Sequence, residues 1–426
     1  MQYFTIIVGV IGGLGLFIYG MFLLSDSLKK LSLGILKSLL EKITSNRFKS
    51  MFVGVGVTAL IQSSSATSVI LIGFLNANIL TLAAAMAIMI GANIGTTITA
   101  QLIAFKLTAI APVFVFIGAA YFFFAKKIKE KNKGLVILGF GMLFLGLAMM
   151  SMAVSPLSSN EAAKNALVTF GQYPVLGVLT GLLITVVFQS SSTTTGMIIA
   201  FASAGLLDFP TSLYLIFGTN IGTCITGILA SIGGNLSSKR LAWGNTLFNI
   251  VGTFVAVAMA PLYLQYIPMM SADVARQIAN THTLFNVINT IIFLPIIPLF
   301  VMLMNRIIPG EDYVKKETKY LDRNLLSVPH LAIKAIISEM IVMLDTCFQM
   351  MQKARSCTIA YDHKLRNEIA LDEESIDDMQ KKITEYLVEL TRNELPEKHS
   401  RLIPALLHSV NDLEKEIGRA SCRERV

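Results

Sequence analysis

Charge is scarce in this sequence. Of its 426 residues only 15% are Asp, Glu, Lys or Arg, while 54% are hydrophobic. Soluble domains carry roughly a quarter charged residues, so a chain this poor in charge is expected to lie mostly in a bilayer. Cysteine is scarce too. Cys224, Cys347, Cys357 and Cys422 show no metal-ligand spacing, and one of them lies in an apolar segment. That pattern argues against a disulfide framework. No basic residue precedes the first apolar stretch, and Lys29 and Lys30 follow it. This is not the pattern of a cleavable leader. It predicts a retained helix with its N-terminus outside.

What charge there is lies unevenly. Residues 1–309 hold 17 Lys/Arg and 6 Asp/Glu, a net of +11, whereas residues 310–426 hold 18 and 21, a net of −3. The chain therefore reads as a membrane part and a soluble tail. The overall +8 sums unlike parts and does not point to nucleic acid.

A spanning helix needs about 20 largely apolar residues. Segments 4–24, 80–104, 107–125, 134–153, 212–234, 241–263 and 283–305 qualify. Two more apolar stretches, 51–78 and 174–207, are interrupted by the peptide Gln-Ser-Ser-Ser. Each is expected to be a re-entrant hairpin, because polar backbone at membrane depth survives only when packed in protein or lining a cavity. Basic residues cluster at 25–50, at 126–133 and at Lys239–Arg240, while 155–173 and 264–282 carry one charge of each sign. Basic loops face the cytoplasm. The spans then alternate only if both broken stretches enter and leave on one side. The N-terminus is placed outside and the tail inside.

Residues 54–100 align with 181–227 at a constant offset of 127, with 18 identities in 47 positions. The identities cluster on polar residues and glycines, which shared hydrophobicity does not explain. Gln62-Ser63-Ser64-Ser65 matches Gln189-Ser190-Ser191-Ser192. Gly91-Ala-Asn93-Ile-Gly95-Thr96-Thr97 matches Gly218-Thr-Asn220-Ile-Gly222-Thr223-Cys224. The expected fold is an all-α polytopic membrane protein of two inverted-topology repeats, each a re-entrant hairpin plus three transmembrane helices, with a cytoplasmic helical-bundle tail. Such repeats hold substrate and ions near the bilayer midplane, at the ends of discontinuous helices. The expected boundaries are an N-terminal helix and basic segment at 1–50, repeat one at 51–154, an external linker at 155–173 and repeat two at 174–308. A tail domain at 309–418 and a remnant at 419–426 complete them.

No Lys, Arg or His lies in either broken segment. The donors there are Ser and Thr hydroxyls, Gln carboxamides and free backbone amides at helix N-termini, which together suit a small oxyanion. Carbonyl, hydroxyl and Asn oxygens suit sodium. A proton carrier would want a titratable group at mid-depth; Lys106, Asp208 and His282 fall near predicted span ends. A serine nucleophile lacks a partner base in its segment, so no enzyme is expected.

At these residues the chain resembles the type II sodium-dependent phosphate cotransporter family, which is marked by a duplicated Gln-Ser-Ser-Ser. The resemblance covers about residues 1–308. It extends to Arg240-Leu-Ala-Trp-Gly-Asn-Thr-Leu-Phe-Asn249 and Ala279-Asn-Thr-His282-Thr-Leu-Phe-Asn286. It implies sodium-coupled movement of inorganic phosphate in a bacterial-type inner membrane. It also implies that Gln62, Ser63, Ser64, Ser65, Gln189, Ser190, Ser191, Ser192 and Thr193 line the phosphate site. Thr67, Asn93, Thr96, Thr97, Thr194, Asn220 and Thr223 would hold or support sodium. Cys224 stands where the first repeat has Thr97, which removes one hydroxyl.

Three amphipathic helices are expected in the tail. Their apolar faces are Ile333, Ile337, Ile341, Leu344 and Phe348; then Ile376, Met379, Ile383, Leu387 and Leu390; then Leu402, Leu406, Val410, Leu413 and Ile417. The segment from Ala370 to Met379 resembles the acidic helix of the PhoU family. That resemblance implies a divalent metal or iron cluster on Glu373, Glu374, Asp377 and Asp378, and a regulatory partner. The alternative reading of the whole chain is a phosphate exporter or phosphate sensor controlled through this tail. A homo-oligomer is compatible with either. The last eight residues have no apolar period and are expected to be a truncation or cloning remnant.

Overall fold

The computed structural model describes residues 2–32, 34–35, 46–76, 79–105, 107–161, 173–310, 318, 320–321, 325–326, 329–359, 363–392 and 397–422. No strand occurs among them. The chain divides into two units, Met1–Glu311 and Asp312–Val426.

The first unit opens with α1 (Gln2–Leu31), α2 (Arg47–Ile61), α3 (Ser64–Asn76) and α4 (Leu82–Ile103). A tight turn at Leu107–Ile110 leads to α5 (Ala111–Phe124) and α6 (Ile128–Val154). Then come α7 (Pro174–Phe188), α8 (Ser191–Ser203), α9 (Phe209–Gly222) and α10 (Cys224–Ala230). The unit ends with α11 (Leu236–Ala258), α12 (Ala260–Met270), α13 (Val274–Phe293) and α14 (Ile297–Ile307).

Among the described residues six helical stretches are long and apolar enough to cross a bilayer: Tyr3–Leu31, Leu82–Ile103, Leu107–Phe124, Ile128–Ser158, Phe209–Ala230 and Leu236–Ala258. Their outer surfaces are apolar as well. Phe116 is 73% exposed and Phe254 79%. A water-soluble surface does not carry such rings in bands, whereas lipid accepts them. The chain is an all-helical, multi-pass membrane protein.

Several expected spans differ in detail. The stretch 283–305 is not one straight helix: α13 and α14 meet at 84°. Pro295 lies in the break, and a proline cannot supply the amide an unbroken helix needs there. The freed Pro295 carbonyl accepts a 2.7 Å hydrogen bond from Arg47. The stretch 241–263 is cut at Met259, with Pro261 in the first turn of α12. The basic residues from Lys129 to Lys133 belong to the first turns of α6 rather than to a loop. Lys239 and Arg240 likewise lie in the first turns of α11. Arg240 is buried and donates to the Ile308 carbonyl at 2.9 Å and to that of Gly310, which are unsatisfied acceptors past the end of α14. Lys106 and residues 36–45 and 162–172 lie outside the described residues.

The offset of 127 read from the sequence carries into the structure. It maps the bounds of α2 onto α7 and of α3 onto α8. It also maps the N-cap Thr81 of α4 onto the N-cap Asp208 of α9. Within each half the packing is held by paired glycines. A Cβ on Gly54 would lie 1.9 Å from the Ile88 carbonyl oxygen, and one on Gly91 1.9 Å from that of Met51. In the second half Gly181 meets Leu215 and Gly218 meets Val178 in the same way. Small residues let backbones approach this closely in lipid, where packing rather than water exclusion joins helices.

The second unit contains α15 (Pro329–Ile359), α16 (His363–Leu390), the short α17 (Glu397–Ser400) and α18 (Leu402–Cys422). The expected face of α16 is buried throughout, from Ile376 to Leu390. The expected face of α15 is not. Ile333 is buried, but Ile337, Ile341, Leu344 and Phe348 are exposed, and Ala332, Ile336, Met343, Cys347 and Met350 form the core side. Apolar residues recur at helical spacing on two faces of α15, and periodicity alone does not choose between them. On α18 Val410 is buried and Leu402 exposed. Ile417 and residues 423–426 of the expected remnant lie outside what is described of side chains and backbone, respectively.

No group of three or more His, Cys, Asp or Glu able to hold a metal occurs among the described residues. Glu373, Glu374, Asp377 and Asp378, expected to hold a metal, all lie on α16 and do not form such a group as placed. Partial burial, then the carboxylates of Glu414, Glu373, Asp378 and Glu374, hold Asp377 above its ordinary value. A carboxyl raised in the fold favours it while protonated, and the benefit is lost as pH rises through the raised value. Asp377→Asn is therefore expected to slow amide exchange in α16 by up to about twofold at pH 7, the size of a relieved like-charge pair, and to have no effect near pH 3. Faster exchange at pH 7 would contradict this.

Candidate functional site

Each Gln-Ser-Ser-Ser breaks a helix in the same way. α2 and α7 end on Gln62 and Gln189, both left-handed, at φ 58° and 52°. Non-glycine residues rarely take this conformation, which costs about 1–2 kcal/mol, and they do so mostly where a site requires it. The next serine caps the following helix. Ser63 Oγ accepts from the Ala66 amide at 3.1 Å, and Ser190 Oγ from Thr193 at 3.2 Å. The second and third serines thus occupy the first turn of α3 or α8, beside unpaired amides and the positive end of the helix dipole. A threonine pair clasps each break: Thr58 with Thr67 at 2.9 Å, and Thr185 with Thr194 at 3.0 Å.

The two halves meet at one polar pocket. From α3 come Ser64, Ser65 and Ser68; from α4, Asn93 and Thr96; from α8, Ser191. The Asn220–Gly227 segment contributes Asn220, Thr223, Thr226 and Gly227, and α11 contributes Asn245. Met89 is the single apolar wall residue, and no charged side chain lines the pocket. Its free space is about 10 Å³, the room of one water molecule.

Of the residues singled out from the sequence, Ser64, Ser65, Ser191, Asn93, Thr96, Asn220 and Thr223 converge there. The others support it from behind. Gln62 is buried and accepts from Thr99 at 2.7 Å. Ser63 and Ser190 are caps, and Thr67 and Thr194 are clasps. Ser192 and Thr193 are buried in α8. The Thr193 hydroxyl donates to Ser190 Oγ at 3.0 Å. Gln189 is exposed. Thr97 bonds the Ile94 carbonyl of its own helix at 2.8 Å, and the Cys224 sulfur accepts from Asn249 at 3.3 Å. Neither lines the pocket, so the exchange of Thr97 for Cys224 removes no hydroxyl from it.

Sequence reasoning missed Asn245, Thr226 and the placement of His282. His282 is not near a helix end. It is buried within α13, 3.1 Å from Asn220 Oδ1. Asn93 is held correspondingly by Asn245 Oδ1, at 3.2 Å. A signal was present: Asn245 and His282 each precede the same peptide, Thr-Leu-Phe-Asn, at 246–249 and 283–286. Two similar helices therefore present one polar residue each to the asparagines of the two repeats.

A multi-pass membrane protein whose duplicated halves share one uncharged polar pocket has the make-up of a solute carrier. The family comparison agrees. A model described as "Na+/Pi-cotransporter" matches residues 16–152 and 154–302, and one described as "PhoU domain" matches residues 340–422. The chain belongs to the Na+/Pi-cotransporter family, a family of phosphate transporters rather than enzymes. It is 24% identical over 408 residues to the "Putative inorganic phosphate export protein YjbB" of Escherichia coli K12, covering 95% of this chain and 75% of that one. It is 28% identical over 264 residues to YqeW of Bacillus subtilis, covering 62% and 86%. It is 34% identical over 92 residues to the sodium-dependent phosphate transport protein 2A of the rat, covering 21% and 14%. No solved structure matches it.

Proposed function

We propose that this protein carries inorganic phosphate across a bacterial inner membrane together with sodium, by alternating access around the pocket between the two Ser triplets. On this reading α2–α3 and α7–α8 are re-entrant hairpins and the repeats are inverted, with the N-terminus outside and the tail in the cytoplasm. The carrying observation is the pocket itself. Two helix N-termini and hydroxyls from both halves converge on it with no charged partner. Such a site favours an oxyanion and still releases it. Gln62, Ser63, Gln189, Ser190, Ser192 and Thr193 are assigned the shape of the two breaks. Thr67, Thr97 and Thr194 are assigned their rigidity. Asn93, Thr96, Asn220 and Thr223 supply neutral oxygens suited to sodium. The pocket must widen to admit phosphate, as alternating access demands.

The name of YjbB, "Putative inorganic phosphate export protein", supports a second reading, export, and the PhoU domain supports control through the tail. Labelled phosphate flux into proteoliposomes, with and without a sodium gradient, separates these. Sodium-driven flux is expected. Flux indifferent to sodium would remove the symport and leave a carrier. Removing residues 310–426 is expected to leave flux intact.

A further inference from the structure

The correspondence between the halves fails at one pair of side chains. Gln62 and Gln189 occupy equivalent left-handed turns, and Thr99 and Thr226 equivalent helix positions, at the offset of 127. In the first half Thr99 donates to the Gln62 carboxamide oxygen, with both side chains buried. In the second half this bond is open. Thr226 pairs instead with Ser65 Oγ at 3.1 Å, in the triplet of the opposite half. Gln189 is exposed and has no side-chain hydrogen bond among the described residues.

At the same level Thr223, the place of Thr96, joins α9 to α10; its backbone stays right-handed helical and its amide still bonds the Thr219 carbonyl at 3.2 Å. Beyond it α10 packs on α3. Gly227 comes so close there that a Cβ would lie 2.9 Å from Ser68 Oγ. One half is therefore latched on itself, while the other reaches across the pocket.

We propose that Thr99 and Thr226 are positioning residues that trade partners during the transport cycle. In the exchanged arrangement Thr226 bonds Gln189, and Thr99 leaves Gln62 for Ser192, the counterpart of Ser65. The idea rests on the transport reading above. Each arrangement has one Gln–Thr latch and one Thr–Ser bridge across the pocket, so the number of these bonds is the same in both. Two arrangements built from the same bonds lie close in energy, as a carrier that visits both sides requires.

Two measurements on the full-length protein test this. In proteoliposomes, Thr226→Val and Thr99→Val keep the shape and remove the hydroxyl. Each is expected to lower maximal phosphate flux about five- to tenfold while KM changes less than about twofold, and Thr226→Ser and Thr99→Ser to recover most of the flux. A loss expressed only in KM, or one that serine does not repair, would overturn the exchange. The second measurement needs no flux. In a Cys224→Ser background, the pair Gln189→Cys and Thr226→Cys is expected to form an intramolecular disulfide under copper–phenanthroline in lipid. Absence of that cross-link, with each single cysteine reactive to maleimide, would overturn the exchange even if phosphate transport is found. A cross-link in a protein that moves no phosphate would uphold it and sink the transport reading instead.

Discussion

Replacing Ser64 and Ser191 together by alanine is expected to abolish phosphate flux, a loss of about 100-fold or more, with each single change costing about tenfold. Both residues line the pocket, one from each half, at the first turn of α3 and α8. A hydrogen bond to a charged group is worth about 1.5–3 kcal/mol, and no lysine or arginine at the pocket compensates for its loss. Alanine is well tolerated in a first helical turn, and the caps Ser63 and Ser190 remain, so the variants should elute from gel filtration like the parent. A double variant that folds and keeps its flux would show that the pocket is not where phosphate binds.

Replacing Gly91 by valine is expected to prevent folding altogether. Its Cβ would sit 1.9 Å from the Met51 carbonyl oxygen, and that oxygen belongs to backbone which cannot rotate aside. Gly218 should behave the same way against Val178, at 2.0 Å. Gly73 is the contrast: nothing lies within 4 Å of its missing Cβ, and the second half carries Ala200 in its place. Gly73→Ala should fold as well as the parent in a fluorescence-detected gel-filtration assay. A monodisperse Gly91→Val protein would show that α2 and α4 are not packed as described.

These two results rest on different amounts of sequence information. The duplication was legible because its identities fall on Gln62–Ser65, Asn93, Gly95 and Thr96, where burial alone does not dictate the residue. That a glutamine at each break would turn left-handed was not legible, because this conformation is unfavourable for any residue with a side chain. The pocket was only half legible. Its walls from α10 and α11 arrive through tertiary packing: the repeated Thr-Leu-Phe-Asn marks Asn245 and the offset of 127 marks Thr226, but neither says which residues they meet. His282 read as a helix end because the bend at Pro295 was read as apolar span. In the tail, α16 was legible because only one of its faces is apolar. α15 was not, because Ile337, Ile341, Leu344 and Phe348 keep as good a period as the residues that are buried.

The asymmetry between the halves is the least expected feature. A strict duplication predicts equal roles for Gln62 and Gln189, yet one is buried against Thr99 and the other exposed. A carrier with two equivalent halves needs such inequality at every moment, because only one side of the membrane can be open.

The central claim, that both Ser triplets hold one phosphate, is tested most directly by a structure of the full-length protein in lipid with phosphate and sodium present. The account predicts one tetrahedral density within about 3 Å of the hydroxyls of both Ser64 and Ser191, with the pocket wider than the 10 Å³ found here. Density bound to one triplet alone, or to another part of the molecule with the pocket still closed, would contradict it.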